Sequence, residues 1–166
     1  TGTTLVVAKL KGIESYGVEA HSFVYEVAAT KLFWEYDYNE LNTKIKDVYR
    51  NAKEKIQHIN LPQLDLSEYP ELVRKCFSHE NLARLHIIKD IITSQKEPYL
   101  SFFKVALTCA LRVASEAATG WPYIAPKKKI QGVDGLVAFQ RILDIMYGDL
   151  YECAYQPGVA EAHPIK

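Results

Sequence analysis

The residues best suited to chemistry lie near the N-terminus, where a glycine–threonine turn precedes a short helix, a strand and an acidic residue. Gly2-Thr3-Thr4 opens a predicted helix that stops at Gly12, and a short strand then ends at Glu19, 17 residues after Gly2. A spacing of about 20 is typical of βαβ units that bind nucleotides, because the helix start faces the cofactor and the acid accepts hydrogen bonds from ribose hydroxyls. The pattern therefore predicts the second half of a cofactor-binding unit.

This segment resembles a known family. The run Thr1-Gly2-Thr3-Thr4, the helix after it and the strand end Gly17-Val18-Glu19 look like S-adenosylmethionine-dependent DNA amino-methyltransferases. In that family an Asp-Pro-Phe-x-Gly-x-Gly-Thr-Thr motif precedes a helix and a Gly-(Ile/Val)-(Asp/Glu) strand, and this chain matches from x-Gly-Thr-Thr onward. The resemblance implies that S-adenosylmethionine is the cofactor of the complete enzyme. It also implies roles for six residues: Gly2, Thr3 and Thr4 beside the methionine and ribose, Glu19 on the ribose hydroxyls, and Ala20 and His21 beside the adenine.

The family's catalytic motif, (Ser/Asp/Asn)-Pro-Pro-(Tyr/Phe), has no counterpart, since the chain holds no Pro-Pro pair, and the Asp-Pro-Phe strand is missing too. We therefore expect this chain to correspond to the stretch between the cofactor motif and the catalytic motif of the family, cut at both ends. We expect it to contain no catalytic residue and to have no methyltransferase activity alone. One alternative is a non-catalytic helical interaction subunit or degenerate relic that self-associates or docks onto a second methyltransferase chain. Another is a nucleotide-binding enzyme of different chemistry, because fold alone does not determine function.

A second cluster combines aromatic and basic residues. Lys127, Lys128 and Lys129 follow Trp121 and Tyr123 in what reads as a rigid loop over residues 120–129. Lysines can meet phosphates and aromatic rings can stack on bases, which makes these five residues candidate DNA contacts, although a solvated loop tip is the alternative. The family resemblance implies that DNA is the partner of the complete enzyme, which would transfer a methyl group from S-adenosylmethionine to N4 of cytosine or N6 of adenine in a flipped base.

The rest of the chain reads as helices that would position these residues. Ser22 is a candidate cap for a helix over 22–34, with Phe23, Val27 and Ala28 facing inward. The clearest amphipathic period follows Asp37, with inward positions Leu41, Ile45, Val48, Ala52, Ile56 and Ile59. Further helices are predicted near 71–77, 79–95, 99–117 and 134–150, and coil over 156–166.

The expected fold class is thus α/β by family, part of a Rossmann-like methyltransferase domain. This segment itself should be predominantly α-helical, with about one N-terminal strand whose partners lie elsewhere. We assign residues 1–34 to a partial cofactor-binding βαβ unit. Residues 35–166 form a helical region, an insertion or DNA-contacting part of the same domain.

Composition sets outer limits on function. Twenty basic and 20 acidic residues give a formal net charge of zero, which argues against a wholly basic protein that wraps nucleic acid. Cys76, His79 and His86 have a loosely ligand-like spacing but lack a fourth ligand, so no metal is expected. The longest apolar stretch, 105–111, is too short to cross a bilayer, and three scattered cysteines suit a reducing cytoplasm, so we expect no membrane partner and a cytoplasmic location.

Overall fold

Helices dominate the chain, as the sequence predicts. The computed structural model describes residues 2–119, 124–154 and 162–165. The helices are α1 (Thr3–Leu10), α2 (Ser22–Leu32), α3 (Tyr38–His58), α4 (Glu71–Cys76), α5 (His79–Thr93), α6 (Tyr99–Ala114) and α7 (Gly135–Ala154), with a 3-10 turn over Leu61–Gln63. The strands are β1 (Ser15–Val18), β2 (Ala117–Thr119), β3 (Ile124–Lys129) and β4 (Ala162–Ile165).

The strands form two small sheets. β1 pairs in parallel with β4, so that Ser15 lies opposite Ala162 and Val18 opposite Ile165. β2 and β3 form an antiparallel pair with an irregularity between Ala117 and Ala118. The sequence predictions of a loop at 120–129 and of coil at 156–166 are therefore wrong for 124–129 and 162–165. Both segments contain proline and lack a clear alternation of apolar and polar residues, so their strand character comes from long-range pairing and not from local preference.

The main core lies between α3, α5, α6 and α7. Phe102 and Phe103 of α6 and Phe139 of α7 are fully buried, and Leu41 and Val48 of α3 pack into the same cluster. These two α3 residues and Ala52 are buried, while Ile45, Ile56 and Ile59 are partly buried, which confirms the predicted inner face of this helix. The helix start is also confirmed, since Asp37 accepts hydrogen bonds from the backbone N–H groups of Asn39 and Glu40, each at 2.9 Å.

One buried side chain ties three of these helices together. Asn81, near the start of α5, donates from Nδ2 to the carbonyls of Ala114 and Val133, each at 3.0 Å. Its Oδ1 accepts from the backbone N–H of Gly135 at 2.6 Å, at the first residue of α7. Since all three backbone groups lie at helix ends or in loops, where intrahelical partners are lacking, this asparagine supplies hydrogen bonds that the backbone cannot.

None of the helices in the described part of the chain is both long and apolar enough to span a membrane.

Candidate functional site

The turn before α1 requires glycine for two reasons. Gly2 occupies the N-cap position in the left-handed region, with φ 74° and ψ 3°. A Cβ atom added to it would lie 2.9 Å from the Cβ of Ala28 in α2, closer than side-chain carbons approach one another. A side chain here would therefore be strained by both its own backbone and its neighbour, and glycine is what allows α1 to start against α2.

Thr3 and Thr4 follow in the first turn of α1, and both are exposed. The first intrahelical hydrogen bond runs from the N–H of Val6 to the carbonyl of Gly2 at 3.0 Å. The N–H groups of the preceding turn thus have no partner within the helix, and they lie at its positive end. The two predicted threonines are placed where an anionic or hydroxyl-rich group could accept these hydrogen bonds.

Strand β1, which ends one residue before Glu19, runs antiparallel to α1. The N–H of Ile13 donates to the carbonyl of Ala8 at 2.9 Å, and a Cβ at Gly17 would lie 2.8 Å from Leu5 Cδ1. Residues later in the strand therefore face residues earlier in the helix. This brings the carboxyl end of β1, with Glu19 just beyond it, to the same edge as the start of α1.

Glu19 is half-buried, and its side chain helps to begin the next helix. One of its carboxylate oxygens accepts a hydrogen bond from the backbone N–H of His21 at 3.0 Å. A carboxylate can accept further hydrogen bonds, so capacity for ribose hydroxyls remains. Ala20 and His21 are exposed beside it.

The prediction that Ser22 caps this helix is wrong. His21 occupies the N-cap position of α2 and makes no side-chain cap, and Ser22 is already helical. Phe23 was expected on the inner face but is exposed, whereas Ala28 is buried as predicted and Val27 partly so. Phe23 instead lies edge-on to the His21 ring, with 6.4 Å between ring centroids.

A buried lysine that the sequence reading did not single out holds α1 to the end of α2. The Lys9 Nζ donates to the carbonyl of Leu32 at 2.7 Å and to Glu35 Oε1 at 3.2 Å. It also lies 4.5 Å from the centroid of a Trp34 ring. Lys9 is 5% exposed, so an ammonium group that would otherwise be solvated is satisfied by a helix-terminal carbonyl, a carboxylate and a ring face. The position of Lys9 within an apolar stretch of the sequence was the signal that could have indicated its burial.

Most of the predicted aromatic–basic cluster lies outside the residues that the structure describes. Trp121 and Tyr123, and the side chains of Lys127 and Lys128, lie outside the described residues. Lys129 ends β3, and its Nζ donates to the carbonyl of Lys75, the penultimate residue of α4, at 2.6 Å. Its ammonium group is thus engaged at a helix C-terminus, a position that favours a cation.

The third group of interest is the histidines and cysteines. Among the described residues, no three or more His, Cys, Asp or Glu side chains are grouped so as to hold a metal ion. His86, one of the loosely spaced ligand candidates, instead has its Nδ1 2.9 Å from the Tyr69 hydroxyl and 3.2 Å from Glu68. Cys76, Cys109 and Cys153 are all free thiols.

A cavity of about 360 Å³ lies between α1, α2, α6 and α7. Of the predicted cofactor residues only Thr3 lines it. Its other walls come from Val6 of α1, from Thr30 and Lys31 of α2, from Trp34, and from residues of α6 and α7. No local motif in the sequence marks this cavity, because residues from 3 to 153 contribute to it.

In comparisons with models of protein families, curated proteins and solved structures, no match to this chain was found. The case for a function therefore rests on the geometry of the residues described above.

Proposed function

We propose that this chain forms part of an S-adenosylmethionine-dependent DNA methyltransferase that modifies an exocyclic base amine. The observation that carries the proposal is the arrangement at one edge of the N-terminal unit, which is formed by α1, β1 and α2. Gly2, in a left-handed conformation and without room for a side chain, starts α1 next to the carboxyl end of β1, where Glu19 lies. A Rossmann-like cofactor unit requires this placement of glycine turn, helix start and acid.

In this proposal the chain's contribution is to bind the cofactor. S-adenosylmethionine would supply the methyl group. The N–H groups of Thr3 and Thr4, in the first turn of α1, would face its methionine part, and Glu19 would accept hydrogen bonds from both ribose hydroxyls. Ala20 and His21, exposed after the strand, would border the adenine.

DNA is the proposed partner of the complete enzyme. Phosphate contacts and a stacking surface would come from Lys127, Lys128, Trp121 and Tyr123. Lys129 would add a phosphate contact through the donors that remain after its hydrogen bond to the Lys75 carbonyl. Binding to phosphates would be weakened by salt, because neutralised phosphates release counterions. Transfer itself would need the catalytic Pro-Pro motif, which this chain lacks.

Calorimetric titration of this chain with S-adenosylmethionine tests the cofactor site. The Glu19→Ala variant should bind at least tenfold more weakly, since the ribose loses its charged acceptor. Glu14→Ala is the matched control, because Glu14 precedes β1, at the opposite end of the strand, and contacts the Tyr16 hydroxyl. Equal affinities of wild type and Glu19→Ala, or no saturable binding to wild type, would contradict the proposal.

A second candidate is a helical interaction subunit, favoured by apolar side chains exposed on the N-terminal unit. Val18 is 83% exposed and Ile13 55%. Sedimentation velocity over a range of concentrations separates the two functions. The subunit function would be supported if the wild-type chain self-associates and does not bind S-adenosylmethionine, and if the Val18→Glu variant is monomeric.

A further inference from the structure

We propose that the cavity between α1, α2, α6 and α7 is a binding site for a small organic cation with an apolar body. The proposal does not depend on the cofactor assignment. Thr3 is the one residue that the two sites share, and Glu19 does not line the cavity.

The size and walls of the cavity suit a small molecule. Its volume of about 360 Å³ lies within the usual range of ligand sites, roughly 300–1,000 Å³. Trp34, Phe102, Val105 and Leu150 are buried side chains that form its apolar walls. A ring or short hydrocarbon placed against them would lose its contact with water, which favours binding.

Two polar groups in the wall already have partners. Trp34 Nε1 donates to the carbonyl of Lys31 at 2.7 Å, so the indole offers the cavity its ring and not a free donor. The hydroxyl of Thr30 donates to the carbonyl of Glu26 at 2.8 Å, in the preceding turn of α2. These walls therefore favour an apolar group over one that needs several hydrogen-bond donors.

The charge of the lining selects for a cation. Asp149 and Glu152 lie three residues apart on α7 and line the cavity together, and Lys31 is the basic residue in its wall. The last turn of α7 contains no basic residue, so the partial negative charge of the helix C-terminus adds to the two carboxylates. The Lys9 ammonium group lies 4.5 Å from the centroid of a Trp34 ring, but it is paired with Glu35 at 3.2 Å, so this pair adds no net charge. The two carboxylates outnumber Lys31, and their negative charge beside an apolar surface complements an ammonium group on an apolar body.

The Cys153 thiol, in the same wall, is affected by burial and by these carboxylates. Burial raises the pKa of Cys153 above its ordinary value, and the carboxylates of Asp149 and Glu152 raise it further. The negative charge of these two carboxylates therefore disfavours the thiolate form of Cys153. An anionic ligand would meet the same opposition.

Intrinsic fluorescence provides the test. The chain has two tryptophans, so Trp121→Phe leaves Trp34, in the cavity wall, as the single reporter. Benzyltrimethylammonium should change the Trp34 emission saturably and bind at least tenfold more tightly than benzenesulfonate, which has a similar apolar body and the opposite charge. Equal affinities, or no saturable change with the cation, would overturn the proposal.

Two charge variants refine the test. Asp149→Asn combined with Glu152→Gln should lower the affinity for benzyltrimethylammonium about tenfold, since the shape of the cavity is kept and its two negative charges are removed. Asp144→Asn is the matched control, because Asp144 is an exposed acid of the same helix outside the cavity. Unchanged affinity in the double variant would overturn the charge argument even if the cation binds.

Thiol modification gives an independent readout on the same protein. Benzyltrimethylammonium should slow the reaction of N-ethylmaleimide with Cys109 and Cys153, which line the cavity, and leave Cys76 unaffected, because Cys76 lies elsewhere. Protection of Cys76 to the same extent would contradict a local site. Glu19→Ala should leave cation binding unchanged, so failure of the cofactor proposal and failure of this one are distinguishable.

Discussion

The helical core and the N-terminal unit of this chain are stabilised in different ways. In the core, formed by α3, α5, α6 and α7, large side chains such as Phe103, Phe139 and Ile88 have essentially no solvent exposure. In the N-terminal unit, formed by α1, β1 and α2, Val7 and Val18 are exposed. That unit is instead held by specific contacts, the close approach at Gly2 and the buried ammonium of Lys9.

The residues proposed to bind the cofactor therefore lie in the less deeply packed region of the molecule. Burial of apolar surface is non-directional and tolerates many substitutions of similar volume. A turn in the left-handed region and a buried lysine tolerate few, since each depends on one residue type. We therefore expect the core to determine global stability and the N-terminal unit to open more readily by local unfolding.

The largest effect should come from a cavity in the core. Phe139→Ala should lower the free energy of unfolding by about 3–5 kcal/mol, because a fully buried aromatic side chain is lost from α7. Urea denaturation followed by circular dichroism at 222 nm measures it. Val137→Ala, an exposed position two residues away on the same helix, should change it by less than about 0.5 kcal/mol. Similar effects of the two substitutions would mean that the core is not tightly packed.

The second prediction concerns the polar link within the core. Asn81→Ala should cost roughly 2–4 kcal/mol, because the carbonyls of Ala114 and Val133 and the N–H of Gly135 lose their partner. The same denaturation experiment measures the loss. Asn51→Ala, at an exposed position of α3, is the control. A cost below about 1 kcal/mol for Asn81→Ala would show that water replaces these hydrogen bonds.

A smaller and more local effect is expected in the N-terminal unit. Lys9→Met should cost about 1–2 kcal/mol, because the Leu32 carbonyl at the end of α2 loses its donor while the apolar stem is kept. Amide hydrogen exchange should speed up in α1 and α2 and remain unchanged in α5 and α6. Glu35→Gln should cost less than about 0.5 kcal/mol, since the Glu35 side chain is 65% exposed. A uniform increase in exchange would show that the two regions unfold together.

The last prediction concerns stability at high pH, and no effect is expected at neutral pH. Burial raises the pKa of Tyr99 to about 12, with the Glu40 carboxylate adding to the shift, and burial raises the pKa of Tyr36 well above its usual value. The unfolded chain releases these protons near pH 10 while the folded chain keeps them, so stability should fall as the pH rises above 10. Tyr36→Phe should make this loss smaller. Denaturation midpoints at pH 9, 10 and 11 provide the measurement, and parallel pH profiles for wild type and Tyr36→Phe would contradict it.

Much of the helical architecture could be predicted from residue spacing alone. The period of α3 and its Asp37 cap are encoded by residues within a few turns of one another, and Gly12, with φ 67°, ends the segment that contains α1 as expected. The candidate site was partly predictable for the same reason, since Gly2 and Glu19 are separated by one helix and one strand. The pairing of β1 with residues 162–165 was not predictable, because it joins segments separated by more than 140 positions and residues 162–165 have no strong strand pattern.

Residue types and their spacing along the chain specify which segments form helices and where several of them begin, and they indicate that a glycine turn and an acid could meet at one edge of a short strand. These features depend on hydrogen bonds and side-chain spacing between near neighbours. The burial of Lys9, the link that Asn81 makes between three helices, and the meeting of Thr3 and Cys153 in one cavity depend instead on tertiary packing. Such contacts arise when packed helices bring distant residues together, and no local pattern specifies which residues will meet.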